Sequence, residues 1–376
     1  MGKYALLIAL AGLLGMSYLT QQSLSTSQDT SADLSERQRT VIARQIARSA
    51  FNEGVSEANR GVGTRLLSKD REDVAYEGGE FDLAYSNVGT EIRNNINWKY
   101  VDLSAEGRFP REGDQAKYRI NATARQAISE DVNAITAGES VTFDPKGPGC
   151  AKCINGNDDA GGKSRAGVTL PPDGDTQAVC DAFKNGDSNN GSNGKKGPPI
   201  IGAGEDCSVK ERSDDREGKV DWLMGAIKER ILDSKSSSMV EIYDGGSINN
   251  NTSPSNPRIL YIAEGEVKLS KDWHGLVFVS GSDDEDSELI DVDIIGDEAG
   301  QLTLNGNTSV NGSVLMGKEA KFRLNGGGKG SGKSSNIQYN TNNLLGLVEV
   351  LPMLGEPIEI TDRCGKVVGE NEEGCE

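Results

Sequence analysis

The spacing of hydrophobic residues changes several times along the chain, and each change marks a boundary. Residues 4–16 form a continuous apolar run behind Lys3, fading over 17–20. Its length lies where a signal-peptide core and a short membrane anchor overlap. From Asp33 to about Arg60, apolar residues recur at three- and four-residue steps: Leu34, Val41, Ile42, Ile46, Ala50, Phe51 and Val55. That period predicts an amphipathic helix, with Asp33 or Ser35 as N-cap and Glu36 in the first turn. Over 79–128 the period falls to two, in 80–86, 96–103 and 116–123, with turn signals at Gly107, Pro110 and Gly113. This predicts a small antiparallel sheet that buries one face against the preceding helix.

Residues 145–218 lose all periodicity. They are rich in Gly, Asn, Asp, Lys and Pro, and read as a surface insertion tied down by cysteines. A short amphipathic helix is predicted next, with Val220, Trp222, Leu223, Ile227, Ile231 and Leu232 as its buried stripe. From Ile259 onward, short β-branched runs alternate with Gly- and Asn-centred turns, and residues 302–315 nearly repeat themselves. Such text suits the successive rungs of a β-solenoid, with a β-sandwich as the alternative. The fold class expected is therefore α+β, mostly β. The divisions are 1–32 (anchor or signal), 33–144 (helix plus antiparallel sheet), 145–218 (insertion) and 219–376 (short helix plus β-rich domain).

Net charge is −18 over 376 residues, which argues against nucleic acid and against anionic lipid surfaces as partners. Gly numbers 47 and aromatics make up 5% of the chain, a composition that suits a turn-rich β protein. His274 is the single histidine, so a His-rich metal site does not find its parts here, and a Ser-His-Asp arrangement would rest on this one ring. It reads as a turn or strand-edge residue before 276–279. No residue is nominated as catalytic.

Six cysteines, Cys150, Cys153, Cys180, Cys207, Cys364 and Cys375, form an even set that reads as disulfides in an exported chain. Cys364 and Cys375 flank a short polar loop that one bridge would close, worth roughly 2–3 kcal/mol in the chain-entropy model. The other four leave three pairings open. Cys150 and Cys153 have CxxC spacing, but neither a second such pair nor a nearby His completes a zinc set.

Two further motifs invite chemistry. Residues 327–334 match the phosphate-binding pattern GxxxxGK[ST], yet the residues that follow have strand and turn character in place of the required helix. A flexible turn without bound nucleotide is expected. Asp283, Asp284, Glu285, Asp286 and Glu288, with Asp291, Asp293, Asp297 and Glu298, are dense in hard oxygen ligands and suit Ca²⁺, although EF-hand spacing is lacking. A solvated acidic loop without cofactor is the main expectation.

Lys3 is the one basic residue before Arg37, while Asp29, Asp33 and Glu36 line the far flank. The positive-inside rule then leaves the N-terminus in the cytoplasm and sends the bulk of the chain across the membrane. Ala5, Ala9 and Gly12 lie on one helical face, and Ala11 and Gly15 form a second small-xxx-small pair, spacings that let helices pack closely in lipid. A retained anchor is expected, with cleavage near 15–17 as the alternative.

The apolar helix running into residues 39–54 resembles the N-terminal region of PilX-type pilus-assembly proteins and other minor pilin-like proteins. Residues 101–108 and 117–122 look like the small sheet that follows in that family, and 336–340 with 344–347 are similar to its solenoid-like tails. The pattern departs at Leu7, where, counted from Gly2, type IV pilins keep a Glu. The resemblance implies a non-enzymatic cell-envelope subunit, held in the membrane by its N-terminal helix and assembling with other pilin-like or envelope subunits. Its bulk would be periplasmic or extracellular. The alternative function is a secreted or surface-tethered adhesin that binds glycans.

Overall fold

The computed structural model describes residues 17, 21–22, 34–58, 70–146, 153–185, 199–203, 207–282, 299–325 and 335–368. Helix α1, over residues 34–58, lies on a five-stranded antiparallel sheet. The strands are β1 (Arg71–Tyr76), β2 (Gly79–Arg93), β3 (Ile96–Phe109), β4 (Ala116–Ala127) and β20 (Glu359–Val367), ordered β1-β2-β3-β4-β20. Alternation along the strands puts Phe81, Leu83, Leu103, Ala105, Tyr118 and Ile120 on the side buried with Ala43, Ile46, Ala47, Ala50 and Phe51 of α1. Burying a side chain such as Phe51 or Ile46 contributes about 1.5–3 kcal/mol.

The predicted turn residue Gly107 proves to lie inside β3, where the helix crosses the sheet. A Cβ there would stand 2.3 Å from the Ala43 carbonyl oxygen and 2.5 Å from the Ala47 nitrogen. Small residues at 43, 47 and 107 thus let backbone meet backbone. The same close approach sets the rotation of α1, and two residues expected in its buried stripe fall outside it: Leu34 is 62% exposed and Val41 53%. At its other end α1 is tied down by polar contacts. The Tyr85 hydroxyl donates to Glu57 at 2.6 Å, and Arg71 bridges Glu53 and Glu57. Burial, then the Glu57 carboxylate, push the Tyr85 phenol well above its ordinary pKa.

The remaining strands stack in parallel rungs. β11 (Val240–Tyr243) and β12 (Gly246–Ile248) lie under β13 (Arg258–Ile262) and β14 (Glu266–Leu269). Next come β15 (Trp273–Val279) with β16 (Gln301–Asn305), then β17 (Ser309–Met316) with β18 (Lys321–Asn325). Every one of these pairings is parallel. That is the rung arrangement of a solenoid, and it sets aside the sandwich alternative for the described strands. The near-repeat over 302–315 is shorter than one full coil. Its two halves, β16 and β17, therefore lie in different sheets and do not stack on each other.

Both β15 and β17 turn a corner at a glycine. Gly275 (φ 126°) and Gly312 (φ 153°) are register partners, and the strand splits its neighbours there. Residues 309–312 of β17 pair with β19 (Asn336–Tyr339), whereas 314–316 pair with β5 (Ile135–Ala137). β18 pairs in the same way with β6 (Thr142–Lys146). The fifth rung is thus assembled from two distant stretches of chain.

The segment expected as an insertion, 145–218, carries further rungs in its described parts. β7 (Ile154–Asn155) stacks on β19 and β8 (Val168–Leu170) on β5. β9 (Ile200–Ile201) and β10 (Val209–Glu211) follow on β7 and β8. Ile154, Val168 and Ile200 are fully buried in the solenoid core. One or two apolar residues per strand suffice because the preceding rung already presents paired edges and a hydrophobic floor. Helix α2 (Thr176–Asn185) is held by the Cys180–Cys207 disulfide.

Both alternating sides of β13, β15 and β17 are buried, as in Leu260, Tyr261, Val277, Phe278, Val314 and Leu315, so the sheet is covered on its outer side as well. α3 (Asp214–Asp233) supplies Val220, Leu223, Met224, Ile227 and Ile231 to the same core, beside Leu344, Leu347 and Leu351 from α4 (Thr341–Leu345) and the turn after it. Trp222, expected in that stripe, is 66% exposed, and Met224 is buried in its stead. Position 222 lies off the face that 220, 223, 224 and 227 share. Among the described residues no helix is long and apolar enough to cross a membrane. The apolar run over 4–16, with Ala5, Ala9, Ala11, Gly12 and Gly15, lies outside them.

Candidate functional site: a basic cleft at the seam of the two modules

Where the antiparallel sheet meets the solenoid, two cavities of about 410 and 570 Å³ share Glu130, Asp131, Lys163, Arg165 and Arg216, and so form one cleft. A pocket of several hundred cubic ångströms with convergent polar groups is the ordinary size of a ligand site. Six basic side chains line it: Lys163, Arg165, Lys210, Arg212, Arg216 and Lys219. In a chain of net charge −18 that local reversal of sign stands out.

Each wall has a structural reason. One ladder column runs through the register partners Tyr261, Phe278, Leu315, Thr136, Thr169 and Lys210. It passes from aromatic to aliphatic to hydroxyl to ammonium as it nears the cleft, while the neighbouring column Leu260, Val277, Val314, Ile135, Val168 and Val209 stays apolar. The Thr136 hydroxyl donates to the Asp131 carbonyl at 3.1 Å. Thr169 is 8% exposed, and its Oγ1 has no hydrogen-bond partner. An orphaned buried hydroxyl costs on the order of 1–3 kcal/mol.

The loop bearing Lys163 and Arg165 is pinned by buried Asp158. That carboxylate accepts from the backbone N–H groups of Ala160, Gly162 and Thr341 and from the Thr341 hydroxyl. Arg165 donates to the Ile128 carbonyl at 3.1 Å. Arg212 is buried; it donates to the Ala137 carbonyl at 2.7 Å and to Glu217 at 2.8 Å, which fixes β10 to the start of α3.

The cations nearer the mouth are held loosely. Lys163 lies 3.3 Å from Glu130, and Arg216 lies 3.5 Å from both Glu130 and Asp131. The Lys163 hydrogen bond and charge hold the Glu130 carboxyl below its ordinary pKa. Exposed pairs of this kind contribute about 0–1 kcal/mol and yield readily to a competing anion. Lys210 and Lys219 have no ion-pair partner among the described residues. Half-buried Trp98, at the start of β3, closes one side of the cleft. On the other side, a third cavity of about 400 Å³ is lined by Trp222, Pro352, Met353 and Pro357, and shares Asp131, Lys219 and Glu356 with the cleft.

The residues singled out from sequence lie elsewhere. Cys180 and Cys207 are bonded to each other, and Cys153 and Cys364 are also disulfide-bonded. Cys150 and Cys375 lie outside the described residues, as do 327–334 and the acidic positions 283–298. Among the described residues no group of three or more His, Cys, Asp or Glu could hold a metal ion. His274 sits in β15; its backbone N–H donates to Thr252 Oγ1, and its ring is 3.4 Å from the Asn311 amide of the next rung. Cys153, Cys180, Cys207, His274 and Cys364 do not line the cleft. The signal that would have found it is a density of basic residues at 163–165 and 210–219 within an acidic chain.

No protein-family model matches this chain, and no curated protein matches it. Among solved structures, the competence-associated pilin ComZ from Thermus thermophilus aligns over 88% of this chain and 98% of its own, at 11% identity and a TM-score of 0.20. A likeness at that level carries no argument about function.

Proposed function

We propose that this is a non-enzymatic, minor pilin-like subunit of the cell envelope, with its β-rich body facing outward and its N-terminal helix acting as stalk. The observation that carries the reading is the way α1 leaves the body. Residues 34–38 are exposed on every side, more than a full helical turn, while burial on the sheet begins only at Ala43. In the sequence this free end leads back, through a stretch with no Pro or Gly, to the apolar run over 4–16. A helix whose described end stands clear of its domain, with an apolar segment upstream in the sequence, suits a membrane-rooted or filament-embedded stalk. The disulfide between Cys180 and Cys207 favours an oxidising compartment.

The test is topological. Alkaline phosphatase fused after Thr20 is expected to be active, and green fluorescent protein exported from the same junction by the general secretory route is expected to stay dark. The untagged protein is expected in the membrane or in sheared surface filaments. The opposite fusion pattern, with the protein in the cytosol, refutes the proposal.

A further inference from the structure

We propose that the seam cleft binds an acidic oligosaccharide, its carboxylates meeting Lys163, Arg165 and Arg216 and its ring faces resting on Trp98. The inference stands apart from the stalk reading and survives its failure. Three features of the cleft converge on this ligand chemistry. The basic cluster supplies attraction for negative charge, and its outer members are paired only at 3.3–3.5 Å. An indole edge of the cleft matches the C–H face of a pyranose ring, which is apolar on one side and polar at its rim. The cleft is also long: its two cavities join through shared residues, and the Trp222 groove extends it through Asp131, Lys219 and Glu356.

Nucleic acid shares the negative charge and the liking for aromatic surfaces, but it fits this cleft less well. Glu130, Asp131, Glu211 and Glu356 are interleaved with the cations. Those carboxylates repel a backbone charged at every residue, as does the chain's overall −18. They accept hydrogen bonds well from a ligand rich in hydroxyls whose charges are sparse. An acidic sugar polymer has that balance; a neutral sugar leaves the cations unused.

The test uses the full chain purified in detergent, titrated with a hyaluronan hexasaccharide, which is charged only at alternate residues, in the presence of a metal chelator and followed by calorimetry and tryptophan fluorescence. Saturable binding is expected, with none to cellohexaose and none to a twelve-residue oligothymidylate at the same salt. The double variant Lys163→Glu, Arg216→Glu is expected to weaken binding at least tenfold, while Lys321→Glu on the distant solenoid face changes it less than twofold. Trp98→Ala is expected to weaken binding three- to tenfold and to abolish the tryptophan fluorescence response. This second variant keeps the test decisive if the charge reversals disturb folding. Absence of binding to the hyaluronan hexasaccharide overturns the proposal. So does binding that Trp98→Ala leaves unchanged, or oligothymidylate binding that is as tight and equally sensitive to the double variant.

Discussion

Replacing Gly312 by Ala attacks the solenoid at its sharpest corner. A Cβ at 312 would stand 1.8 Å from the carbonyl oxygen of Gly275, its register partner on the preceding rung. Rungs are spaced about 4.8 Å apart, so relief requires one strand to swing away and lose ladder bonds to its neighbour. The backbone at 312 has φ 153°, a region that L side chains rarely adopt. Strain of that kind costs about 1–3 kcal/mol, and forcing an extra carbon into a packed contact costs about as much again. Their sum, about 2–6 kcal/mol, is a large share of the 5–15 kcal/mol that typically holds a domain together. Gly306 gives the matched control. It also has positive φ (72°), but an added Cβ there meets nothing within 4 Å, so Ala should cost only about 1 kcal/mol. Urea unfolding followed by far-ultraviolet circular dichroism should separate the two variants by about 1–5 kcal/mol. If Gly312→Ala matches Gly306→Ala within error, the corner is not built as described.

Further expectations concern other regions. Mass spectrometry of the unreduced protein should find no free thiol and a gain of six protons on reduction; free Cys150 and Cys153 with stoichiometric zinc would contradict this. Burial pushes the Lys99 ammonium below the ordinary lysine pKa of 10.5, against the raising influence of Glu349. In the window below 10.5 the unfolded chain therefore holds more protons there, and this site's contribution to stability grows as pH rises. Denaturation of wild type and Lys99→Met at several alkaline pH values should show wild type gaining relative to the variant up to about 10.5; a flat or falling difference refutes the assignment. No ATP binding is expected by calorimetry at millimolar nucleotide, and Lys333→Ala should shift stability by no more than about 0.5 kcal/mol; saturable binding abolished by that change would reverse the reading of 327–334.

The elements legible in the sequence are those whose burial repeats at a fixed period. Strands β2, β3 and β4 announce themselves by alternation, and α1 by its three- and four-residue steps, because each has one wet and one dry face. Strand β20 was hidden, since its residues 359–367 are largely polar and only their pairing with β4 makes them a strand. The rungs at β7, β9 and β10 were hidden for a different reason. Two or three residues carry no period at all, and their pairing edge is supplied by strands remote in sequence. The stripe of α3 was read one residue too broadly at Trp222, because helical spacing names a face only to within a residue or so. The cleft was illegible as a site: Lys163, Arg165, Lys210 and Arg216 converge through the non-sequential stacking of rungs.

That stacking also dictates an order of events. The lower rungs, β11 to β18, follow the chain, but the seat of β5 is β17, which is made some 175 residues later. A chain emerging N-terminus first cannot settle residues 135–211 until residue 339 has appeared, because β7 is seated on β19, and β4 waits longer still for β20 at its open edge. Pairings between such remote segments close slowly. Until then β5 to β10 lack their seat, with edges open to any neighbour. A protein so wired finishes its first-made module last, and truncating it at β20 should impair that module although its other strands come early in the chain.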